Sequence, residues 1–244
     1  MKPIKILFIA TSHEKLGSTG NKTGVWLEEL ATPYYIFKEA GAKVILSSPR
    51  GGPVPVDPKS QSILMTTSNT KRFTADLEAM DFLSRSLPLE EVKAIDYDAV
   101  FLPGGHGPLW DISTNPVVKR LLEIFNAEHK PIGAVCHGVA GLLSLQNSNG
   151  ELLIKGRRLT AFSNSEEESA DLINVVPFLL ENELMSGGAL YSKTANYLSY
   201  VVEDVNIITG QNAASSKEVA NKLLAFIQKN RTAKEPQLVI NEIL

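Results

Sequence analysis

The sequence predicts an α/β fold built on a mostly parallel sheet with helices on both faces. Three observations carry this. Short apolar runs rich in small and β-branched residues recur at 4–10, 42–47, 99–102 and 131–135, and continuous runs of this kind belong to strands buried on both faces. Helical patterns alternate with them, as in β-α-β units. One run ends at Cys136, followed by His137 and Gly138, which is the shape of a sharp strand-to-helix turn that presents a nucleophile.

Taken in order, residues 4–10 form the first strand and lead into a Ser-, Gly- and Asn-rich loop over 11–23. Trp26, Leu30, Tyr34 and Phe37 then recur at helical spacing. Pro33 interrupts that helix and predicts a break or kink, and Gly41 stops it. Residues 42–47 are the second strand. The Gly- and Pro-bearing stretch 51–58 is a loop, and the polar, weakly periodic 61–86 predicts a small helical subregion. About 51–95 is therefore read as an insertion in a single domain spanning 1–230. Residues 99–102 are the third strand and run into Pro103, Gly104, Gly105, His106 and Gly107. Pro116 opens a helix over 115–128, 131–135 is the fourth strand, and a helix begins at 139–145. Further on, 156–159 predicts a hairpin and 160–162 a strand. A helix opens at Asn164 and is ended by the segment starting at Pro177. Residues 201–209 predict a late strand pair, and Val219, Leu223 and Ile227 mark a final helix over 215–229. Residues 231–244 read as a C-terminal tail.

The 244 residues carry a formal net charge of −3, with 43% hydrophobic and 21% charged residues. That composition supports a sizeable core. It shows neither the basic excess of a nucleic-acid binder nor a polybasic run for an anionic membrane. No stretch reaches the roughly 18 apolar residues of a membrane span, and the first ten residues lack the length and cleavage site of a signal peptide. The single cysteine excludes an internal disulfide and a Cys-rich zinc site. A cytoplasmic protein with a reduced thiol is expected.

The turn at Cys136 is framed by Gly133, Ala134, Gly138 and Ala140, small residues that a crowded elbow requires. A thiol at a helix N-terminus also faces the positive end of the dipole, which favours thiolate, and the His137 amide is a natural oxyanion donor. Against this stands the ordinary fate of a free cysteine, which is inert burial. The four histidines are scattered along the chain and suggest no metal constellation.

These residues resemble a known family. Ala134-Val135-Cys136-His137-Gly138, preceded by Leu102-Pro103-Gly104-Gly105-His106-Gly107, is similar to the ThiJ/PfpI superfamily, which shares the class I glutamine amidotransferase-like fold. The branch of heat-shock chaperones and glyoxalase III proteins fits best. Residues 23–33, 160–168 and 209–215 resemble that branch's first helix, acidic segment and C-terminal signature, so the likeness covers about 4–228. One departure is Ala213, where relatives commonly carry proline. The resemblance implies a flavodoxin-like three-layer sandwich with a nucleophile elbow.

It also implies roles. Cys136 is the nucleophile and His137 its adjacent histidine. Glu167 is the triad acid, although the run Glu166, Glu167, Glu168 leaves that register open by one position. Glu29 is the glutamate that hydrogen-bonds the sulfur, and Gly105 supplies an oxyanion amide beside that of His137. Glu28 lies about 100° round the helix from Glu29, so only one of the two can face inward. His106 and Trp26 are candidate pocket residues. Taken alone, Glu29 would be an ordinary solvated carboxylate and Glu167 a helix N-terminal acid.

The implied function is glutathione-independent conversion of methylglyoxal and similar 2-oxoaldehydes to 2-hydroxy acids. No cofactor or metal is needed for it. Deglycase, hydrolase or peptidase chemistry on the same cysteine, a holdase chaperone for unfolded clients, and a cysteine redox sensor are the alternatives. Relatives are often dimers, so a homodimer is expected.

Overall fold

The computed structural model describes residues 2–241. Along the chain run β1 (Lys5–Ile9), α1 (Leu27–Glu39), β2 (Lys43–Ser48), α2 (Ser68–Ala75), α3 (Leu77–Ser84), β3 (Leu87–Pro88), β4 (Ala99–Leu102), α4 (Pro108–Asp111), α5 (Pro116–Ala127) and β5 (Ile132–Val135). After a 3-10 turn over Cys136–Leu142 come β6 (Arg158–Leu159), α6 (Asn164–Ser169), α7 (Leu180–Ser186), β7 (Leu190–Tyr191), β8 (Val201–Asp204), β9 (Ile207–Gly210) and α8 (Ser216–Asn241).

The central sheet has the order β3-β2-β1-β4-β5-β9-β8. Every pairing in it is parallel except β8 with β9. Ile6 sits opposite Val44 on one side and Ala99 on the other, so β1 is central. Its alternate residues separate cleanly. Ile6 and Phe8 pack with Leu30, Phe37, Phe101 and Leu223 on one face. Leu7 and Ile9 pack with Val100, Leu121, Phe125 and Ile132 on the other. The sheet is thus apolar on both sides, which is why its strands read as continuous hydrophobic runs rather than alternating ones. The chain leaves β1 toward β2 in one direction and returns at β4 on its other side. Loops at the C-terminal ends of β1 and β4 therefore diverge at a switch point, where open α/β sheets place their ligands.

Several local expectations are corrected. α1 runs from Leu27 to Glu39 without interruption. Pro33 is buried within it, and its fixed φ suits a helix, so only the bond to the Glu29 carbonyl is forfeited. Residues 156–159 close no hairpin: β6 pairs in parallel with β7, more than 30 residues on. Residues 160–162 are no strand. They are held instead by side chains, with Thr160 N donating to Thr209 Oγ1 (3.0 Å) and the Tyr191 hydroxyl donating to Ala161 O (3.0 Å). The helix from Asn164 stops at Ser169, close to Asp171 in the left-handed region (φ 61°). It ends well before Pro177, and α7 begins at Leu180. The segment after Cys136 is a tight 3-10 turn. Gly138 and Gly141 let that turn press on β4: a Cβ on either would lie 2.3 Å from Leu102 O or 2.6 Å from Leu102 Cδ2. The last helix continues through the stretch read as a tail as far as Asn241, and Arg231 ties it to Lys2 O (2.8 Å) and Asp98 (3.0 Å). Residues 242–244 of that stretch lie outside the described residues.

Candidate active site

Cys136 sits at the C-terminal end of β5 with φ 54°. For a residue with a Cβ this left-handed conformation costs about 1–2 kcal/mol. It is held by the buried turn around it, and strain of this kind concentrates at functional positions. The side chain is buried, with Sγ 3.3 Å from His137 Nδ1 and the His137 backbone N–H directed at the sulfur.

His137 Nε2 lies 2.8 Å from Glu167 Oε2. The other oxygen of that carboxylate, Oε1, lies 2.8 Å from His106 Nε2. One carboxylate therefore serves two histidines, whose rings are 4.2 Å apart. Phe162 closes the set, its ring 4.6 Å from His137 and 6.1 Å from His106. His106, His137, Phe162 and Glu167 are all buried.

Their electrostatics follow from this packing. Burial opposes the charge on Glu167, but the two histidines outweigh it and hold the carboxyl well below the usual carboxylate range. Burial, assisted by His106, pushes the His137 pKa down. A neutral His137 donating Nε2–H to an ionised Glu167 leaves the Nδ1 lone pair facing the thiol. This is the arrangement of a general base oriented by an acid.

Glu29 enters from α1. Glu28 is half-exposed and takes the hydroxyls of Thr32 and Thr67, whereas Glu29 is 1% exposed. Its Oε2 accepts the Gly104 amide at 2.7 Å, and it is hydrogen-bonded to Cys136. Burial pushes the Glu29 carboxyl up to about 8. Burial, and then the Glu29 charge, push the Cys136 thiol well up. The dipole that the sequence reading credits with favouring thiolate is outweighed here by desolvation. The pair rests protonated, and the thiol has a neutral base in contact.

The β4 loop completes the site. Gly104 has no room for a side chain: a Cβ would lie 2.6 Å from Glu29 Oε2 and 2.8 Å from both Cys136 Cβ and His137 N. Gly105 adopts φ 84°, and its amide has no acceptor among the described residues. The Trp26 amide donates to Gly104 O (3.1 Å), joining the start of α1 to this loop. Gly107 lies against Thr11, at the end of β1. His13 stands apart from the triad, stacked on Trp110 at 4.8 Å with Nε2 on Lys15 O (2.6 Å).

The three consecutive glutamates separate by function. Glu167 faces the histidines, and Glu168 is exposed. Glu166 is a fully buried hub. It accepts from Ser163 N and Oγ, Tyr197 N, Gln211 Nε2 and Asn212 Nδ2, all within 2.8–3.0 Å. A signal for this was present in the sequence. Ser163-Asn164-Ser165-Glu166 is a capping box, which reserves Glu166 for the helix start and leaves Glu167 for the site. No comparable local signal marks His106, whose partner Glu167 is 61 residues away.

A sheet of this order, with a strained cysteine beside a histidine and a buried glutamate, defines a class of α/β proteins with a cysteine elbow. The chain belongs to the DJ-1/PfpI family, whose sequence pattern matches residues 22–226. Among solved structures, the Francisella tularensis Rapid Encystment Protein 24 kDa superposes with a TM-score of 0.88 at 36% identity, covering 92% of this chain and 99% of that one. Glyoxalase III from Candida albicans superposes with a TM-score of 0.84 at 26% identity, over 91% of this chain and 96% of that one. The Saccharomyces cerevisiae glutathione-independent glyoxalase HSP31 is 28% identical over 90% of this chain and 96% of its own. No helix among the described residues is long and apolar enough to cross a membrane.

Proposed function

We propose that this protein converts methylglyoxal and similar small 2-oxoaldehydes to 2-hydroxy acids without glutathione, using Cys136 as nucleophile. The observation that carries this is the contact of the Cys136 thiol with a neutral His137 whose far nitrogen is held by Glu167. Two glyoxalases similar over nearly the whole chain support the substrate class.

In this reading His137 Nδ1 takes the thiol proton, and Glu167 stabilises the imidazolium. The sulfur bonds to the aldehyde carbon, and the carbonyl oxygen becomes an oxyanion held by the Gly105 and His137 amides. The imidazolium returns its proton to that oxygen, giving a hemithioacetal and a neutral base. His137 then removes the hydrogen on the first carbon as a proton. The electron pair moves into the bond to the neighbouring carbon, whose carbonyl oxygen takes up a proton to give an enediol. A proton then adds to that second carbon as the hydroxyl on the first carbon gives up its own. The result is a thioester of the 2-hydroxy acid. Water hydrolyses it, releasing the acid and restoring the thiol. The net change is addition of one water, with oxidation of one carbon balanced by reduction of its neighbour.

Glu29, protonated near neutrality, hydrogen-bonds the sulfur and keeps a second negative charge away from the thiolate as it forms. The covalent step is tested by acid-quenching the protein with methylglyoxal and mapping the adduct by mass spectrometry. An adduct of one methylglyoxal on the Cys136 peptide during turnover is expected, and turnover with no adduct there counts against this reading.

A further inference from the structure

The triad of the proposed function uses His137 and Glu167 but leaves His106 without a role. His106 is buried, and its Nε2 points at the same carboxylate as that of His137. Its Nδ1 has no hydrogen-bond partner among the described residues. Two of the four histidines that looked scattered in sequence are therefore brought together on one glutamate. The donor atoms of His106, His137 and Glu167 all lie within 4.8 Å of one another.

We propose that His106, His137 and Glu167 form a binding site for a divalent transition-metal ion of the zinc type, and that filling it switches the cysteine off. Two imidazole nitrogens and one carboxylate oxygen suit such ions, and three protein ligands with an open fourth position is a familiar zinc arrangement. Zinc sits about 2.0–2.1 Å from such ligands, so tetrahedral donor atoms stand roughly 3.4 Å apart. The donors here lie within 4.8 Å of one another, so rotation of the two rings and the carboxylate must draw them in by up to about 1.4 Å to reach that geometry. Neither ring needs to lose a proton. Each neutral imidazole moves its hydrogen from Nε2, where the metal binds, to Nδ1. His106 can do so without breaking another bond. In His137 the hydrogen arrives on the nitrogen 3.3 Å from the Cys136 sulfur. The lone pair that should accept the thiol proton is then occupied, and Glu167 no longer holds the ring as a base. The sulfur itself is outside the ligand set, because His137 stands between it and the metal.

The inhibitory consequence rests on the proposed function; the binding does not. The test is a titration of chelator-treated, untagged full-length protein with zinc alone, in competition with a chromophoric chelator and without substrate. One zinc per chain is expected. Uptake by Cys136→Ser should equal that of the wild type, and binding by His106→Asn and Glu167→Gln should be at least tenfold weaker. X-ray absorption on the zinc-loaded wild type should show a shell of nitrogen and oxygen only. Absence of stoichiometric uptake, a sulfur neighbour at about 2.3 Å, loss of binding in Cys136→Ser, or undiminished binding in both folded ligand variants would each overturn the proposal. Should those variants not fold, the absorption shell decides alone. In the glyoxalase assay, zinc should abolish turnover and the chelator should restore it; zinc-loaded protein at full rate contradicts the switch. Failure of the protein to act on methylglyoxal at all would sink the functional reading while leaving the metal result standing.

Discussion

The Glu29 carboxyl and the Cys136 thiol are hydrogen-bonded to each other in the interior, where burial raises the pKa of both. Burial is what keeps both protonated; the hydrogen bond to Cys136 works against it at Glu29, whereas Glu29 adds to it at Cys136. In the proposed mechanism the sulfur becomes a nucleophile when its proton passes to His137. The proposed mechanism therefore activates the thiol through His137 and Glu167, against the upward push of burial and Glu29.

That relationship fixes a pH dependence. With Glu29 titrating at about 8, turnover should fall as pH rises through that value, because an ionised Glu29 opposes formation of the thiolate. Glu29→Gln should flatten this alkaline limb, as read from kcat/KM against pH. The same shift bears on stability. The folded state holds a proton that the unfolded chain releases near 4.5, so this contribution is complete below about 4.5 and is lost as pH rises to about 8. The loss runs at about 1.4 kcal/mol per pH unit in between. Chemical denaturation at pH 5 and pH 8 should show the wild type losing ground to Glu29→Gln over that interval.

Glu167→Gln removes the charge that stabilises the His137 imidazolium and blurs the tautomer that leaves Nδ1 free. Turnover should drop by about 10²–10⁴-fold, the usual scale of a general acid–base contribution. Binding of a substrate-sized competitor should change little. A kcat within a few-fold of wild type would show that the ring needs no acid behind it.

Glu166→Gln should do the reverse. Of its five accepted hydrogen bonds, two from Ser163 cap α6 and three tie that helix to residues 197, 211 and 212. An amide presents N–H groups to some of those donors. A stability loss of about 2–3 kcal/mol is expected from hydrogen bonds to a charged group, seen as a lower thermal midpoint, with the pH profile of the folded enzyme retained.

Gly104→Ala adds a methyl into space bounded by Glu29, Cys136 and His137. Overpacking of this kind costs about 1–3 kcal/mol, and it is relieved most readily by displacing the Glu29 carboxylate. At least a tenfold loss of turnover is expected, together with loss of the alkaline limb attributed to Glu29. An alanine variant with wild-type kinetics would contradict the close packing of this loop.

Much of this was legible in the sequence. The strand over 99–102, the late pair 201–209 and the turn at Cys136 follow from local pattern, because continuous apolar runs and small residues at an elbow have local causes. The pairing of β6 with β7 was not legible, since it joins two-residue segments far apart in sequence, and neither shows periodicity. Residues 160–162 looked like a strand because they are buried, yet their bonds go to side chains. Of the site, Glu29 and Glu167 came from resemblance. Their burial, and the assignment of Glu166 as a hub, required the fold. His106 gained its place on Glu167 only through tertiary contact.

The most direct test of the central claim is lactate release from methylglyoxal, without glutathione, by wild type and Cys136→Ala at equal folded concentration. Steady lactate formation by the wild type, reduced to the uncatalysed background in Cys136→Ala, is the predicted result. Full activity in the variant, or none in the wild type, would contradict it.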